Sequence, residues 1–392
     1  LDNNTNQAQR VVYTITPHLL QSDDGIGCTG AAITVDIWVE PTPLITGVPQ
    51  IDTICNNDRV DIELTSVSVP TREVRFRYNL DIPSGVTVSS GQQTGLAPGF
   101  HITDSIHNST DTAKLVKFVI TPYTREAGSE AKKCTGINDT VDTWIEPTPK
   151  VQPIPQADTI CSRDTIYIQL NSPSVPTNEI EFNFDAVAFS PDLINENDGT
   201  GYKVNDTIIQ QLINISDTAQ RVLYIITPYT TDANGLQKCS GIIDTVEIWV
   251  EPVARIIADP RKDTICNNDI TNIQFTSPTV ATVGVNFNFV AVPDNPANLT
   301  GYSSGAGYTT DSTITQQLTN SSDTAQQILY IITPFTLTPA GGQKCEGLID
   351  TLVVWVEPTA KVVGLPRADT LCNGEQTNIL FTTVSVPTKG KE

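Results

Sequence analysis

Eight cysteines are the most regularly placed reactive residues of this sequence. They stand at positions 28, 55, 134, 161, 239, 266, 345 and 372, two in every stretch of about 105 residues. Thiols that recur in pairs indicate disulfides, which persist in oxidising, extracytoplasmic compartments. Zinc is the competing interpretation, but two cysteines per stretch without paired histidines provide too few ligands.

Two disulfide pairings respect this spacing. The first closes loops at separations of 78 or 79 residues, as Cys55–Cys134, Cys161–Cys239 and Cys266–Cys345. It leaves Cys28 and Cys372 to bond cysteines outside the sequence. The second joins cysteines 27 residues apart, such as Cys28–Cys55 and Cys134–Cys161. We favour the first, because the second would fold neighbouring units back on each other to bring two Cα atoms within about 7 Å.

The histidines give little support for catalysis. His18, His101 and His107 do not recur with the cysteines. His101 and His107 flank Asp104, an arrangement that would suit a metal or acid–base site, but incidental histidines in an exposed loop are the simpler interpretation. The sequence also lacks a phosphate-binding glycine loop and the H-E-x-x-H zinc motif. It therefore predicts no catalytic residue and no enzymatic activity.

Recurring carboxylates raise the question of calcium. Glutamates recur before prolines, and aspartates recur some twelve residues later: Glu40, Glu146, Glu251 and Glu357, then Asp52, Asp158, Asp263 and Asp369. Carboxylates meeting across a joint would bind Ca²⁺ and stiffen it. No dense D-x-D-x-D run is present, and solvated charge explains the pattern equally simply. We therefore predict no cofactor and no metal ligand, and keep calcium at the joints as an alternative.

Two phrases recur with the cysteines and define internal repeats. Asp-Thr-Ile/Leu-Cys follows the linkers, and Trp-Val/Ile-Glu-Pro precedes them at Trp38, Trp144, Trp249 and Trp355, in steps of 106, 105 and 106 residues. A period of this length is that of an independently folding domain. We expect whole domains at residues 43–148, 149–253 and 254–359, the end of a truncated repeat at 1–42 and the start of another at 360–392.

The pattern within each unit is that of strands and turns. Short runs rich in Val, Ile, Tyr and Phe, such as Arg221–Thr227, alternate apolar with polar residues between clusters of Pro, Gly, Asn and Asp. This predicts an all-β fold of tandem immunoglobulin-like β-sandwiches. Short proline-bearing linkers such as Glu146–Pro149 restrict the chain to extended conformations. We expect a semi-rigid rod on the order of 130 Å long, at roughly 33 Å per domain.

The tryptophans are candidates for interdomain packing. In the run Thr245–Glu251, Val246, Ile248 and Val250 share one face, which we expect to be the core face, while Trp249 and Glu251 lie on the other. Two interpretations of the tryptophans stay open: packing against the adjoining domain, or a partly covered surface aromatic. The four candidates are Trp38, Trp144, Trp249 and Trp355.

The charge of the chain limits its partners. The sequence has 23 basic and 44 acidic residues, for a net charge of −21. Nucleic acids and anionic lipid surfaces need a basic face, so both are excluded as partners. No run of residues approaches the roughly 18 apolar residues of a membrane helix. We expect the main partners to be further domains of the same long chain.

The repeated phrases resemble a known type of repeat. Tyr-x-Ile-Thr-Pro, Lys-Cys-[Thr/Ser/Glu]-Gly at residues 133–136, 238–241 and 344–347, and Asp-Thr-Val-x-x-Trp-Val-Glu-Pro are similar to PKD-like, Ig-like repeats of giant Bacteroidota surface adhesins. That family includes gliding-motility adhesins exported by type IX secretion. The resemblance implies an extracellular cell-surface filament, with outer-membrane anchoring or motility machinery, surface polysaccharide or like filaments as partners.

A dense hydroxyl pattern resembles a sugar-acceptor motif. An Asp followed by Ser or Thr and a small or aliphatic residue resembles the O-glycosylation motif of Bacteroidota. The candidate hydroxyls are Thr53, Ser105, Thr112, Thr140, Thr159, Thr165, Thr207, Thr218, Thr245, Thr264, Ser312, Thr324, Thr351 and Thr370. Asp-Thr also suits turns and strand starts. Asn108, Asn214 and Asn320 begin weaker N-x-Ser/Thr sequons.

The leading functional hypothesis is a structural stalk of a secreted surface adhesin, in gliding motility or surface attachment. Two alternatives remain. A carbohydrate-binding array within a secreted enzyme should expose aromatic platforms at matching positions. A laterally self-assembling sheath or fibre would use the recurring tryptophan as its contact.

Overall fold

The computed structural model describes residues 1–22, 25–46, 51–126 and 131–389, without the side chains of Ile51 and Asp52. Within these ranges every regular element is a β-strand. The predicted all-β fold of tandem Ig-like sandwiches is confirmed. Below, repeats 1, 2 and 3 denote residues 43–148, 149–253 and 254–359, flanked by an N-terminal and a C-terminal segment.

The N-terminal segment forms two antiparallel pairs. Its strands are β1 (Gln9–Ile15), β2 (His18–Leu20), β3 (Ile26–Thr29) and β4 (Ile33–Val39). Strand β1 pairs with β4, and β2 pairs with β3. This is the same order of long strand, hairpin and Trp-bearing strand that ends each complete repeat.

The described residues of repeat 1 form ten strands. They are β5 (Ile51–Ile54), β6 (Ile62–Leu64), β7 (Val74–Asp81), β8 (Val86–Val88), β9 (Gln93–Leu96), β10 (Phe100–Ile102), β11 (Ile106–Asn108), β12 (Lys114–Arg125), β13 (Lys132–Thr135) and β14 (Asp139–Ile145). One sheet has the order β5-β14-β12-β7-β9, with β13 paired to the far part of β12. The pairs β6–β10 and β8–β11 lie in the opposite layer. Strand β5 runs parallel to β14.

Repeat 2 has the same main sheet. Its strands are β15 (Gln152–Pro155), β16 (Thr159–Cys161), β17 (Thr165–Asn171), β18 (Ile180–Ala188), β19 (Leu193–Ile194), β20 (Gly199–Lys203), β21 (Thr207–Gln211), β22 (Ile213–Asn214), β23 (Gln220–Thr231), β24 (Gln237–Ser240) and β25 (Asp244–Glu251). The main order is β16-β25-β23-β18-β20, with β24 on β23, and β15-β17-β21 and β19–β22 form the second layer.

Repeat 3 has the same sheet topology as repeat 2. Its strands are β26 (Ile257–Asp259), β27 (Lys262–Ile265), β28 (Ile273–Thr276), β29 (Val285–Pro293), β30 (Leu299–Thr300), β31 (Gly305–Thr309), β32 (Thr313–Ile314), β33 (Thr319–Asn320), β34 (Gln326–Leu337), β35 (Gln343–Glu346) and β36 (Asp350–Val356). The C-terminal segment adds the antiparallel pair β37 (Val363–Leu365) and β38 (Leu380–Thr382).

Each complete repeat has a hydrophobic core of its own. The three buried clusters draw on residues 60–145, 151–250 and 254–356. In β25, Val246, Ile248 and Val250 are buried, as the alternation predicts. Glu251, expected on the outer face, is also completely buried. The next repeat covers it, a contact that the pattern within one repeat does not contain.

Candidate functional site: the joint between successive repeats

The disulfides join neighbouring repeats rather than closing loops within them. Cys55 bonds Cys239 and Cys161 bonds Cys345, each pair 184 residues apart in sequence. Their Cα atoms are 5.5 and 5.6 Å apart. The predicted pairs Cys55–Cys134, Cys161–Cys239 and Cys266–Cys345 are therefore wrong, as is the alternative at 27 residues.

The pairing across repeats has a physical reason: the two cysteines of one repeat lie at its opposite ends. Cys55 follows β5, which runs parallel to β14 and ends beside the linker that leaves repeat 1. Cys239 lies on β24, in the hairpin at the end of repeat 2 where that linker enters, because Ile242 N donates to Pro149 O at 2.8 Å. The thiols of one repeat thus lie near its opposite ends, and each meets a thiol of a neighbour.

Four cysteines have no disulfide partner within the described residues. Cys28, Cys266 and Cys372 are exposed, and Cys134 is half-buried on β13. Cys28 and Cys134 occupy the position that Cys239 has in repeat 2, and Cys266 and Cys372 the position of Cys55 in repeat 1. Bonding of Cys28 and Cys372 to cysteines outside the sequence stays a prediction.

Buried glutamates form the second link of each joint. Glu146 directly follows β14 and Glu251 is the last residue of β25, and both are 0% exposed. The Thr177 amide donates to Glu146 Oε2 at 3.1 Å, and the Thr282 amide donates to Glu251 Oε2 at 3.2 Å. Each threonine hydroxyl donates to the same carboxylate. These donors come from the following repeat, so they satisfy a carboxylate that would otherwise be costly to bury.

A backbone bridge forms the third link. Val175 N donates to Asp111 O at 2.7 Å and Ala113 N donates to Val175 O at 2.8 Å, across the first joint. Across the second joint, Val280 N donates to Asp217 O and Ala219 N donates to Val280 O, both at 2.8 Å. The Glu–Thr and backbone links also recur between the N-terminal segment and repeat 1, and between repeat 3 and the C-terminal segment.

Charged side chains add weaker links. Lys150 Nζ is 2.6 Å from Asp111 Oδ1, and Arg255 Nε is 3.4 Å from Asp217 Oδ1. Both pairs are partly exposed, where an ion pair contributes about 0–1 kcal/mol. Lys238 Nζ donates to Thr53 O at 2.6 Å, directly beside the Cys55–Cys239 bond. The lysine of the Lys-Cys-x-Gly phrase therefore belongs to the joint as well.

The glycine of the same phrase is required by the linker. Gly136 N donates to Pro122 O, and a Cβ at Gly136 would lie 2.0 Å from Pro43 O. At Gly241 the distance to Pro149 O would be 2.2 Å, and at Gly347 the distance to Ala254 O would be 2.0 Å. Only glycine lets the linker backbone lie this close to the cysteine hairpin.

The tryptophans lie at the same joints. Trp144 lines a cleft of about 410 Å³ together with Thr112 and Ala113 of its own repeat and Val175, Pro176 and Thr177 of the next. Trp38 lines a corresponding cleft with Val69–Arg72. Trp249 donates from Nε1 to Glu247 Oε1 at 2.8 Å, and Trp355 is half-buried. Interdomain packing of the four rings stays a prediction.

The candidate acceptor hydroxyls are all accessible to some degree. Thr112, Thr218, Thr245, Thr264, Thr324, Thr351 and Thr370 are exposed, whereas Thr53, Ser105, Thr140, Thr159, Thr165, Thr207 and Ser312 are half-buried. Several of the preceding aspartates accept from the next amide, as Asp244 Oδ1 does from Thr245 N at 2.8 Å. The aspartates thus have a local structural role, and O-glycosylation stays a prediction.

The asparagines of the sequons are structural. Asn214 is 3% exposed, and its amide donates to Thr218 O at 2.8 Å and to Val250 O at 2.9 Å. Asn108 and Asn320 make the same two kinds of bond. They hold the loop before the long strand against the end of the Trp-bearing strand, so their side chains are unavailable to a glycan.

The His101–Asp104–His107 grouping does not form a site. Asp104 is buried and accepts from the Tyr78 hydroxyl at 3.1 Å. His101 Nδ1 lies 2.6 Å from Asp61 Oδ1, a hydrogen bond that raises the pKa of His101, and His107 Nδ1 lies 2.9 Å from Asn57 Oδ1. The three side chains therefore have separate partners.

At the joints, where calcium is the alternative, Thr177 and Thr282 already bind the carboxylate oxygens of Glu146 and Glu251. Asp263 Oδ1 accepts from the next amide at 2.7 Å, and Asp52 has no described side chain. Across the described ranges, no group of three or more His, Cys, Asp or Glu side chains is placed to hold a metal ion. The same residues include no helix long and apolar enough to span a membrane.

The chain was compared with known proteins and with solved structures. No curated protein matches the chain. Among solved structures, the human desmocollin-1 ectodomain is 10% identical over 95% of this chain and 72% of its own, with a TM-score of 0.30. Drosophila N-cadherin EC1-4 is 8% identical over 91% and 94%, with a TM-score of 0.29. The Escherichia coli adhesin FdeC is 12% identical over 79% and 99%, with a TM-score of 0.28.

A family match covers one repeat. Residues 263–360 match the PKD-like domain family. They run from the Asp-Thr-Ile-Cys phrase of repeat 3 to just beyond its Trp-Val-Glu-Pro phrase. The main sheet of repeat 3 has the same strand order in repeats 1 and 2. The chain is thus a tandem array of Ig-like sandwiches whose third repeat is PKD-like in sequence.

Proposed function

We propose that the chain is a load-bearing, non-catalytic stalk segment of a secreted surface filament. The observation that carries this proposal is the cross-repeat disulfide, present at both joints between complete repeats. A stalk must transmit force from one domain to the next without bending freely at its linkers. A covalent bond beside each linker provides a second path for that force.

The geometry of the first joint explains why it would resist bending. Ile145 pairs with Ile54 on one side and with Lys114 on the other, so three neighbouring strand ends lie in one row. Cys55 follows Ile54, Glu146 follows Ile145 and Ala113 precedes Lys114. Repeat 2 contacts all three of these residues. Neighbouring strands are about 4.8 Å apart, so the outer contacts are separated by roughly 10 Å. Bending in the plane of this row would have to break at least one of them.

The shape of the particle in solution tests the proposal. Small-angle X-ray scattering of the oxidised protein should give an extended particle with a maximum dimension on the order of 130 Å. Removing both disulfides by the substitutions Cys239→Ser and Cys345→Ser should broaden the distance distribution, because each joint loses one of its outer contacts. The variant Cys134→Ser is the matched control. A compact particle, or an unchanged distribution in the double variant, would contradict the proposal.

The cellular role follows from the sequence resemblance rather than from the joint. We place the filament on the cell surface, as part of an adhesin used in gliding or attachment and exported by type IX secretion. Labelling of intact cells of the source organism with antibodies against repeats 1–3 tests this location. In this proposal the joints need no cofactor, so chelation of calcium should leave the maximum dimension unchanged.

A further inference from the structure

The two disulfides are interleaved along the chain. The first bridge spans residues 55–239 and the second spans residues 161–345, so Cys161 lies inside the first loop and Cys239 inside the second. Every peptide bond from residue 55 to residue 345 therefore lies within at least one disulfide loop. The peptide bonds between residues 161 and 239 lie within both loops.

We infer that the array remains a single covalent molecule after its backbone is cleaved once at any point between residues 55 and 345. Hydrolysis of one peptide bond consumes one water and leaves a new carboxylate and a new amine. It does not oxidise or reduce either sulfur, so the bridge that spans the cut keeps both fragments joined. This tolerance to protease nicks does not depend on the role proposed above for the filament.

The cross-repeat disulfides differ from disulfides within repeats in how they protect the chain between two repeats. Disulfides within each repeat would protect the sandwiches but leave the peptide bonds between residues 134 and 161 outside every loop. The cross-repeat bridge Cys55–Cys239 spans that whole region. Gln156, Ala157 and Asp158 are exposed there, directly after β15, where a protease has access. The bridge thus covers an accessible segment whose cleavage would otherwise cut the rod in two.

The noncovalent links alone would not keep the two fragments joined in a denaturant. The Glu–Thr bonds, the backbone bridge and the ion pairs are all lost when the protein unfolds, whereas a disulfide persists until it is reduced. Separation by denaturing electrophoresis therefore reports the covalent connection and nothing else.

A site-specific protease sequence inserted between Ala157 and Asp158 tests the inference. After cleavage and alkylation of free thiols, the oxidised protein should run as one species on a denaturing gel, and reductant should release two fragments. Adding Cys239→Ser should release the fragments without reductant. Adding Cys345→Ser instead should leave them joined, because the second loop does not include the cut.

Two further results complete the test. A second version with the cut site next to Arg367, outside both loops, should separate without reductant and shows that cleavage and denaturation are effective. Separation of the protein cut between Ala157 and Asp158 without reductant would overturn the inference. If the insertion prevents folding, limited proteolysis of the unaltered protein with the same gel comparison gives the answer directly.

Discussion

Cys55 and Cys239 are 184 residues apart in sequence, yet their Cα atoms lie 5.5 Å apart across the joint between repeats 1 and 2. Beside them Lys238 binds the backbone of Thr53, and the buried Glu146 directly follows the neighbouring strand β14. The joint is therefore an interdomain interface with covalent, hydrogen-bonded and ionic contacts, rather than only a linker between independent domains. The disulfide, the buried glutamate and the backbone bridge recur at the second joint.

Loss of one bridge should affect stability much more than loss of an unpaired thiol. Cys239→Ser should lower the free energy of unfolding by about 2–5 kcal/mol, as is usual when a native disulfide is removed. It should also expose one new thiol, at Cys55, to an alkylating reagent. Cys134→Ser should change stability by less than about 0.5 kcal/mol. Denaturant unfolding and mass measurement check both variants, and equal effects would contradict the assigned pairing.

The buried glutamate should contribute through its partner in the next repeat. Glu251→Ala leaves the amide and hydroxyl of Thr282 without their acceptor, which should cost about 1–3 kcal/mol. Glu247→Ala, on the same strand but exposed, is the control and should cost less than about 1 kcal/mol. In a double-mutant cycle with Thr282→Val, coupling near zero would show that the bond across the joint contributes nothing.

The cysteine hairpin should not tolerate a side chain at its glycine. In Gly347→Ala the new Cβ would lie 2.0 Å from Ala254 O, so the linker or the hairpin must move. We expect a loss of about 1–3 kcal/mol, as for other overpacked sites. Gly342→Ala, in the same hairpin but with its nearest atom 3.3 Å away, is the control. Thermal unfolding should separate the two variants, and equal midpoints would contradict the proposed clash.

Buried tyrosines should limit stability at alkaline pH. Burial raises the pKa of Tyr330 to about 12, from 10.0. Because the folded state favours the neutral phenol, the contribution of this group is complete below about pH 10 and is lost as the pH rises through about 12. The loss amounts to about 3 kcal/mol at 1.36 kcal/mol per pKa unit. In Tyr330→Phe the slope of stability against pH above 10 should be shallower, and an unchanged slope would assign the alkaline limit elsewhere.

The sequence predicts the strands and the inward faces of the strands well, because both depend on local alternation. Val246, Ile248 and Val250, which are buried as the alternation predicts, are examples of such inward-facing residues. It did not predict the burial of Glu251, because the covering threonine belongs to another repeat. The disulfide pairing failed for the same reason: a period of about 105 residues fits Cys55–Cys134 and Cys55–Cys239 equally, and only the placement of the two thiols at opposite ends of a repeat distinguishes them.

One local substitution pattern could have indicated contact between strands. The acceptor position is Asp104 in repeat 1 and Gln316 in repeat 3. Its donor is Tyr78 in repeat 1, on the strand next to Phe118, whereas in repeat 3 the donor is Tyr330, at the position equivalent to Phe118. The hydroxyl thus moves from one strand to its neighbour while the acceptor position stays polar. The exchange of Tyr and Phe between these two positions is visible once the repeats are aligned by sequence.

Sugars, if attached, should follow the exposed hydroxyls and avoid the sequons. Site mapping of the native protein should find glycans at exposed positions such as Thr245 and Thr351, and none at Asn108, Asn214 or Asn320, whose side chains are buried. A glycan on Asn214 would contradict the structural role assigned to that residue. A protein free of sugar would remove the O-glycosylation prediction and leave the joint unaffected.

The most direct test of the joint is peptide mapping of the native protein without reduction, after free thiols have been alkylated. The structure predicts one disulfide-linked peptide pair that contains Cys55 and Cys239, and a second that contains Cys161 and Cys345. Linked peptides that contain Cys55 and Cys134, or Cys161 and Cys239, would show that the bridges close within repeats and would contradict the account.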